Sequence, residues 1–130
     1  MTLLDTDTCI EILHGNLNVI RKRNEESDSV GISFITVAEL YYGAAKSNQI
    51  DHNNQLVAEF LLTINIIQSD IEIARTYGEL KAGIEKTGLP IADADLFIAA
   101  TTITKCNKLI TGNPRHYERI TDLRIENWIR

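Results

Sequence analysis

Four polar side chains stand out by type and by place: Asp5, Glu39, Asp95 and Asn113. Asp5 closes the apolar run Leu3-Leu4, Glu39 follows the run VGISFI, Asp95 opens a helix beyond Pro90, and Asn113 follows the run KLIT. Carboxylates gathered without basic partners are costly unless a cation neutralises them. Hard oxygen ligands of this kind select Mg²⁺ or Mn²⁺ rather than zinc. Each position also has a plainer use. Glu39 can close a capping box with Thr36, Asn113 before Pro114 is a good N-cap, and Asp93 or Asp95 can cap its own helix. Acids also favour the positive end of a helix dipole. Asp5 alone is without a local capping duty on this reading, and it is the residue that points most directly to chemistry.

The elements that must position these residues read as strands alternating with helices, the pattern of a parallel sheet in an α/β layer fold. Strands are expected at about 2–6, 30–35, 64–68 and 108–111, with a last edge strand within 124–129. Helices are expected from Asp7 to Gly15, over 17–26, from the Thr36 capping box to Lys46, over 49–62, 70–86 and 92–106, with a short one after Asn113. The run INIIQ at 64–68 is continuous and apolar, as in a strand covered on both faces. In an open parallel sheet the carboxyl ends of the strands line the ligand crevice. Residues 5, 39, 95 and 113 would converge there from distant parts of the chain.

The chain has 130 residues, 44% of them apolar and 24% charged, with a formal charge of −5. This fits one domain over 1–130 with a substantial core, and excludes disordered and collagen-like classes. No apolar run reaches the roughly 20 residues of a membrane span. Asp5 and Asp7 interrupt any secretory apolar region, so a cytoplasmic location is expected. Cys9 and Cys106 have no metal spacing and read as small apolar residues in a reducing compartment. His14, His52 and His116 lack zinc spacing and read as exposed. Tyr41, Tyr42 and Trp128 read as core or interface. An acidic balance by itself argues against a protein that tracks a nucleic-acid backbone.

The segments LLDTD (3–7), ITVAELYYGA (35–44), LPIADADLFIAA (89–100) and LITGNPRHY (109–117) resemble the PIN-domain nucleases. The resemblance is greatest to the toxin subunit of VapBC-type toxin–antitoxin pairs, and it runs over essentially the whole chain. It implies a three-layer PIN-like fold, a central parallel sheet flanked by helices, and a Mg²⁺- or Mn²⁺-dependent endoribonuclease. Asp5, Glu39 and Asp95 match the family's three acidic positions. Asn113 stands where many members carry a fourth Asp, and Thr111 matches a Thr whose hydroxyl orients a phosphate, a water or an acid. Asp5 and Asp95 would hold the ion, with Glu39 binding it directly or through water. A metal-activated water would then leave 5′-phosphate and 3′-hydroxyl ends. With Asn at 113, three acids and one divalent ion leave a single surplus negative charge, so any second ion is expected to arrive with RNA. Asp7 and Asp93 have no assigned role; within a helix, Asp93 would point away from the face of Asp95.

The resemblance further implies a homodimer and a cognate antitoxin whose tail lies in the acidic groove. Part of the net charge then belongs to the metal site, so an acidic chain no longer excludes RNA. Arg21, Lys22, Arg23 and Arg115 are the candidate phosphate contacts, with Lys46, Lys81 and Lys86 behind them. Two other readings remain open. Asp5-x-Asp7 is similar to the haloacid-dehalogenase phosphatases, with Asp5 as nucleophile, although Cys9 stands where their motif prefers Thr or Val. A non-catalytic PIN-like binding domain is the other.

Overall fold

A computed structural model describes residues 1–130. Five parallel strands, β1 (Thr2–Leu4), β2 (Val30–Ser33), β3 (Asn65–Ile67), β4 (Lys108–Ile110) and β5 (Ile125–Glu126), lie in the order β3-β2-β1-β4-β5. Six helices surround them: α1 (Thr6–Leu13), α2 (Leu17–Glu25), α3 (Phe34–Ala45), α4 (Ile50–Leu61), α5 (Ile71–Glu85) and α6 (Asp93–Lys105).

Alternation along the strands divides the core in two. Leu4, Ile32 and Ile110 face one way and pack with Cys9, Val19, Leu40, Val57, Phe60 and Trp128 from α1–α4 and the C-terminal segment. Leu3 and Leu109 face the other way, against Ile84 of α5, Leu96, Ile98 and Ala99 of α6, and Tyr117 and Ile120 beyond β4. Both faces of the central strands are therefore covered, as parallel sheets require. The three-layer expectation holds.

The chain passes from β1 to β2 on one side, whereas β4 pairs with β1 on the other. That reversal opens a crevice at the carboxyl ends of β1 and β4. The run at 64–68 departs from expectation: only Asn65–Ile67 is strand, at the sheet edge, with Asn65 and Ile66 exposed. Its apolar character reflects edge packing rather than double coverage. The last strand contracts from the expected segment to Ile125–Glu126.

Candidate active site

Asp5 follows β1 directly and does what the sequence did not suggest. It is the N-cap of α1, and its Oδ1 accepts from the Thr8 backbone N–H at 2.8 Å. Strand and helix are joined by this one residue, which is only 4% exposed. Burial pushes the carboxyl above its ordinary value, while the Thr111 hydroxyl and the Thr8 N–H pull it back. Thr111, fully buried after β4, also accepts from the Asn113 N–H at 3.0 Å.

Glu39 arrives from the neighbouring strand. Helix α3 begins at Phe34, one turn earlier than expected, because Ser33 is its N-cap and accepts from the Thr36 N–H at 3.1 Å. The expected capping box is therefore absent, and Glu39 lies beyond the first turn. Its Oε1 accepts instead from the Thr6 hydroxyl at 2.6 Å, and Thr6 lies 3.1 Å from the Thr36 hydroxyl. Glu39 is thus released from helix capping and held toward Asp5.

Asp95 projects from the first turn of α6, whose N-cap is Ala92, without a side-chain cap bond. The Tyr117 hydroxyl donates to Asp95 Oδ1 at 3.2 Å, and His116 Nδ1 lies 3.2 Å from Oδ2. Tyr117 is buried, and burial with the nearby Asp95 carboxylate pushes its hydroxyl well above the ordinary phenol value. Asp93 turns the other way, to Lys81 Nζ and the Tyr77 hydroxyl, each at 2.9 Å. Two residues apart in a helix do point to different faces, as expected.

Asp5, Asp7, Glu39 and Asp95 line one cavity of about 270 Å³, with Thr6, Tyr42, Gly43 and Lys46 among the other walls. Neither Asp5, Asp7 nor Glu39 has a basic partner within ion-pair distance. A buried carboxylate beside two others, with hydroxyls and N–H groups as its only neighbours, suits a hard divalent cation. No three His, Cys, Asp or Glu side chains are arranged to enclose an ion by themselves. Such a donor set would fit Mg²⁺, which takes one or two carboxylates and completes its shell with water and phosphate.

Other expected residues lie apart from this centre. Asn113 occupies the N-cap position of the short 3₁₀ turn Pro114–His116 but makes no side-chain cap bond; its Nδ2 donates instead to Asp7 Oδ2 at 2.7 Å, at the rim. Arg115 is exposed on that same turn. Arg21, Lys22 and Arg23 lie near the end of α2, where the following Glu26 meets Lys108 and Thr2 at the amino ends of β4 and β1. The basic run therefore sits at the opposite end of the sheet from the carboxylates. Arg21 is engaged by Asn18, and Arg23 by the Thr63 carbonyl and the Phe60 ring. Sequence reasoning passed over Thr6, Tyr117 and the contact of His116. Thr6 adjoins Asp5, whereas Tyr117 is 22 residues from Asp95 and no local signal joins them.

The PIN-domain profile matches residues 2–122. The chain belongs to the PIN-domain family. It is 34% identical over 128 residues to a ribonuclease VapC2 of Haemophilus influenzae, covering 98% of this chain and 97% of that one. It is 34% identical over 127 residues to a tRNA(fMet)-specific endonuclease VapC of Salmonella typhimurium, with 97% and 96% covered. Among solved structures, the VapBC2 complex of Rickettsia felis bound to a promoter DNA fragment matches with a TM-score of 0.90 at 31% identity, covering 98% of each chain. The DNA-bound VapBC complex of Salmonella typhimurium matches with a TM-score of 0.91 at 31% identity, covering 98% and 97%. For this PIN domain, no helix is long and apolar enough to cross a membrane.

Proposed function

We propose that this PIN domain is a Mg²⁺- or Mn²⁺-dependent endoribonuclease, the toxin of a toxin–antitoxin pair, acting in the cytoplasm as a homodimer silenced by its antitoxin. One observation carries the chemistry: a buried Asp5 without a counter-cation shares its cavity with Glu39 and Asp95 at the carboxyl ends of the central strands. Near full-length similarity to VapC ribonucleases supports the substrate class.

Asp5 and Asp95 hold the metal in this reading, and Glu39 reaches it directly or through water. A bound divalent ion supplies Lewis-acid polarisation of the scissile phosphate and lowers the pKa of a water. Thr6 keeps Glu39 turned into the cavity, and Tyr117 and His116 fix the two oxygens of Asp95. Thr111 steadies Asp5 from β4. Asn113 restrains Asp7 rather than acting as a fourth ligand. A phosphatase using Asp5 as nucleophile is disfavoured, because Cys9 stands where that motif prefers Thr or Val and the near full-length similarity is to VapC ribonucleases.

The test is cleavage of total RNA with mapped ends. Wild type with Mg²⁺ is expected to give discrete 5′-phosphate and 3′-hydroxyl ends. Chelation, or Asp95→Asn, should lower the rate by about 10²-fold or more, consistent with several kcal/mol of metal stabilisation. Equal cleavage by Asp95→Asn, or in chelator, overturns the reading.

Tyr117→Phe isolates the positioning of Asp95, since it deletes one hydroxyl and keeps the buried ring. Loss of an outer hydrogen bond to a metal ligand typically costs about 10–100-fold in metal affinity or activity. The Mn²⁺ titration curve of Tyr117→Phe is expected to shift to about tenfold higher concentration, with cleavage recovering at high Mn²⁺. An unshifted curve would mean that the hydroxyl serves only the core.

A further inference from the structure

One face of α3 continues past the carboxylates. Glu39, Tyr42, Gly43 and Lys46 follow at helical spacing, so that Lys46 lies roughly 10 Å along the axis from Glu39. Tyr42 is 65% exposed, so in the single chain it is no part of the core. Lys46 Nζ lies 4.8 Å from the Tyr42 ring centroid. They are the only aromatic and the only basic residue lining the catalytic cavity. Lys46 forms no ion pair with any of its four carboxylates.

Gly43, between them, is unexplained by packing. A Cβ there would meet no atom within 4 Å, and its backbone is not in the left-handed region. Glycine weakens a helix relative to alanine, and nothing inside the protein requires it here. Its bareness leaves the helix backbone open to something entering the cavity. The C-terminal end of α3 by itself favours a lysine, but it accounts neither for an aromatic ring facing water nor for the glycine beside it.

We propose that Tyr42, Gly43 and Lys46 form a nucleotide subsite, in which an unpaired base next to the scissile bond stacks on Tyr42 and its phosphate pairs with Lys46. This rests on the ribonuclease reading above. The electrostatics call for such a subsite. A metal offsets carboxylate repulsion only at the scissile phosphate, and the adjoining phosphate needs a cation of its own. Lys46 is the cation that the cavity offers. Single-stranded RNA is bound by this pairing of aromatic faces with backbone cations.

The experiment compares cleavage kinetics with direct binding in the full chain. Tyr42→Ala is expected to raise KM about tenfold with kcat little changed, in line with the loss of one base stack, and Tyr42→Phe to restore it. Lys46→Ala should flatten the dependence of log KM on log salt by about 0.7, and Lys46→Arg should restore the slope. Gly43→Ala should raise Tm while also raising KM, a pair of signs that a packing defect does not give. Independently of cleavage, Tyr42→Trp adds an exposed indole to a chain whose one native Trp, Trp128, is buried, and a short single-stranded oligoribonucleotide should quench it. An unchanged KM in Tyr42→Ala while wild type still cleaves overturns the subsite and leaves the nuclease standing. The same result accompanied by weakened antitoxin binding assigns the face to a protein instead. Absence of cleavage in wild type defeats the nuclease reading itself, and absence of quenching then removes the subsite with it.

Discussion

Asp5→Asn is expected to abolish Mg²⁺-dependent cleavage, by about 10³-fold or more, while making the metal-free protein more stable. The two effects have one origin. In the folded chain Asp5 is nearly inaccessible, and burial raises its carboxyl above the ordinary value. Because the folded-state value lies above the unfolded one, the folded state binds the proton more tightly. The stability linked to this group is present at low pH and is lost as pH rises through the raised value. At neutral pH the apo protein therefore holds an unfavourable buried charge, which a divalent ion would relieve. Asparagine removes the charge and keeps an oxygen for the Thr8 N–H, so the α1 cap survives. Asp5→Ala loses that cap as well, at a cost of about 1 kcal/mol. Thermal melts in chelator should rank Asp5→Asn above wild type at pH 7, with the gap closing toward acid pH. With saturating Mg²⁺ wild type should recover, because only it gains binding energy. If Asp5→Asn melts lower than wild type at neutral pH without metal, the carboxylate is stabilised by its hydroxyl neighbours and the charge argument fails.

The acids of this site were legible because they punctuate apolar runs, and residue type carries their chemistry whatever their exact placement. What held them was not. Asp5 lacked a visible capping duty only because the strand was drawn to Thr6; it ends at Leu4, and α1 starts immediately after the cap. Thr36 and Glu39 matched a capping box, yet Ser33, one turn earlier, won the N-cap. A short motif cannot say which of two hydroxyl residues starts a helix when the strand end competes for the same backbone. The INIIQ segment reads as a strand covered on both faces, but its place in the sheet is decided by pairings 34 residues away, such as Gly31 with Asn65. The run Arg21-Lys22-Arg23 lies away from the carboxylates for a similar reason: charge density is local, but which end of the sheet a helix terminates at is not. Tyr42 and Lys46 lie three and seven residues after Glu39, so helical spacing alone places them on its face.

The site also depends on a segment far from its carboxylates, and Trp128→Ala is expected to produce the largest loss of stability in the chain. Trp128 is 1% exposed and packs in the same core as Leu4, Cys9 and Val19. Its Nε1 donates to Glu126 Oε1 at 3.1 Å, and its carbonyl accepts from Asn18 Nδ2 at 3.1 Å, tying the C-terminal segment to α2. The neighbouring Ile129 lies so close to Gly112 that a Cβ there would approach its Cδ1 within 2.5 Å. That contact seats the C-terminal segment against the turn after Thr111, the residue that steadies Asp5. Truncating a buried Trp typically costs about 3–5 kcal/mol. At roughly 3–4 °C per kcal/mol for a domain of this size, Tm should fall by about 10–20 °C. Trp128→Phe, which keeps a ring and loses one hydrogen bond, should fall by less than half as much. Because Ile129 packs on Gly112, next to Thr111, the residual folded Trp128→Ala protein should also need more Mg²⁺ for half-maximal cleavage, measured well below its Tm. A drop of only a few degrees, with unchanged Mg²⁺ dependence, would show that the C-terminal segment merely covers the core and that β4 holds Thr111 in place unaided.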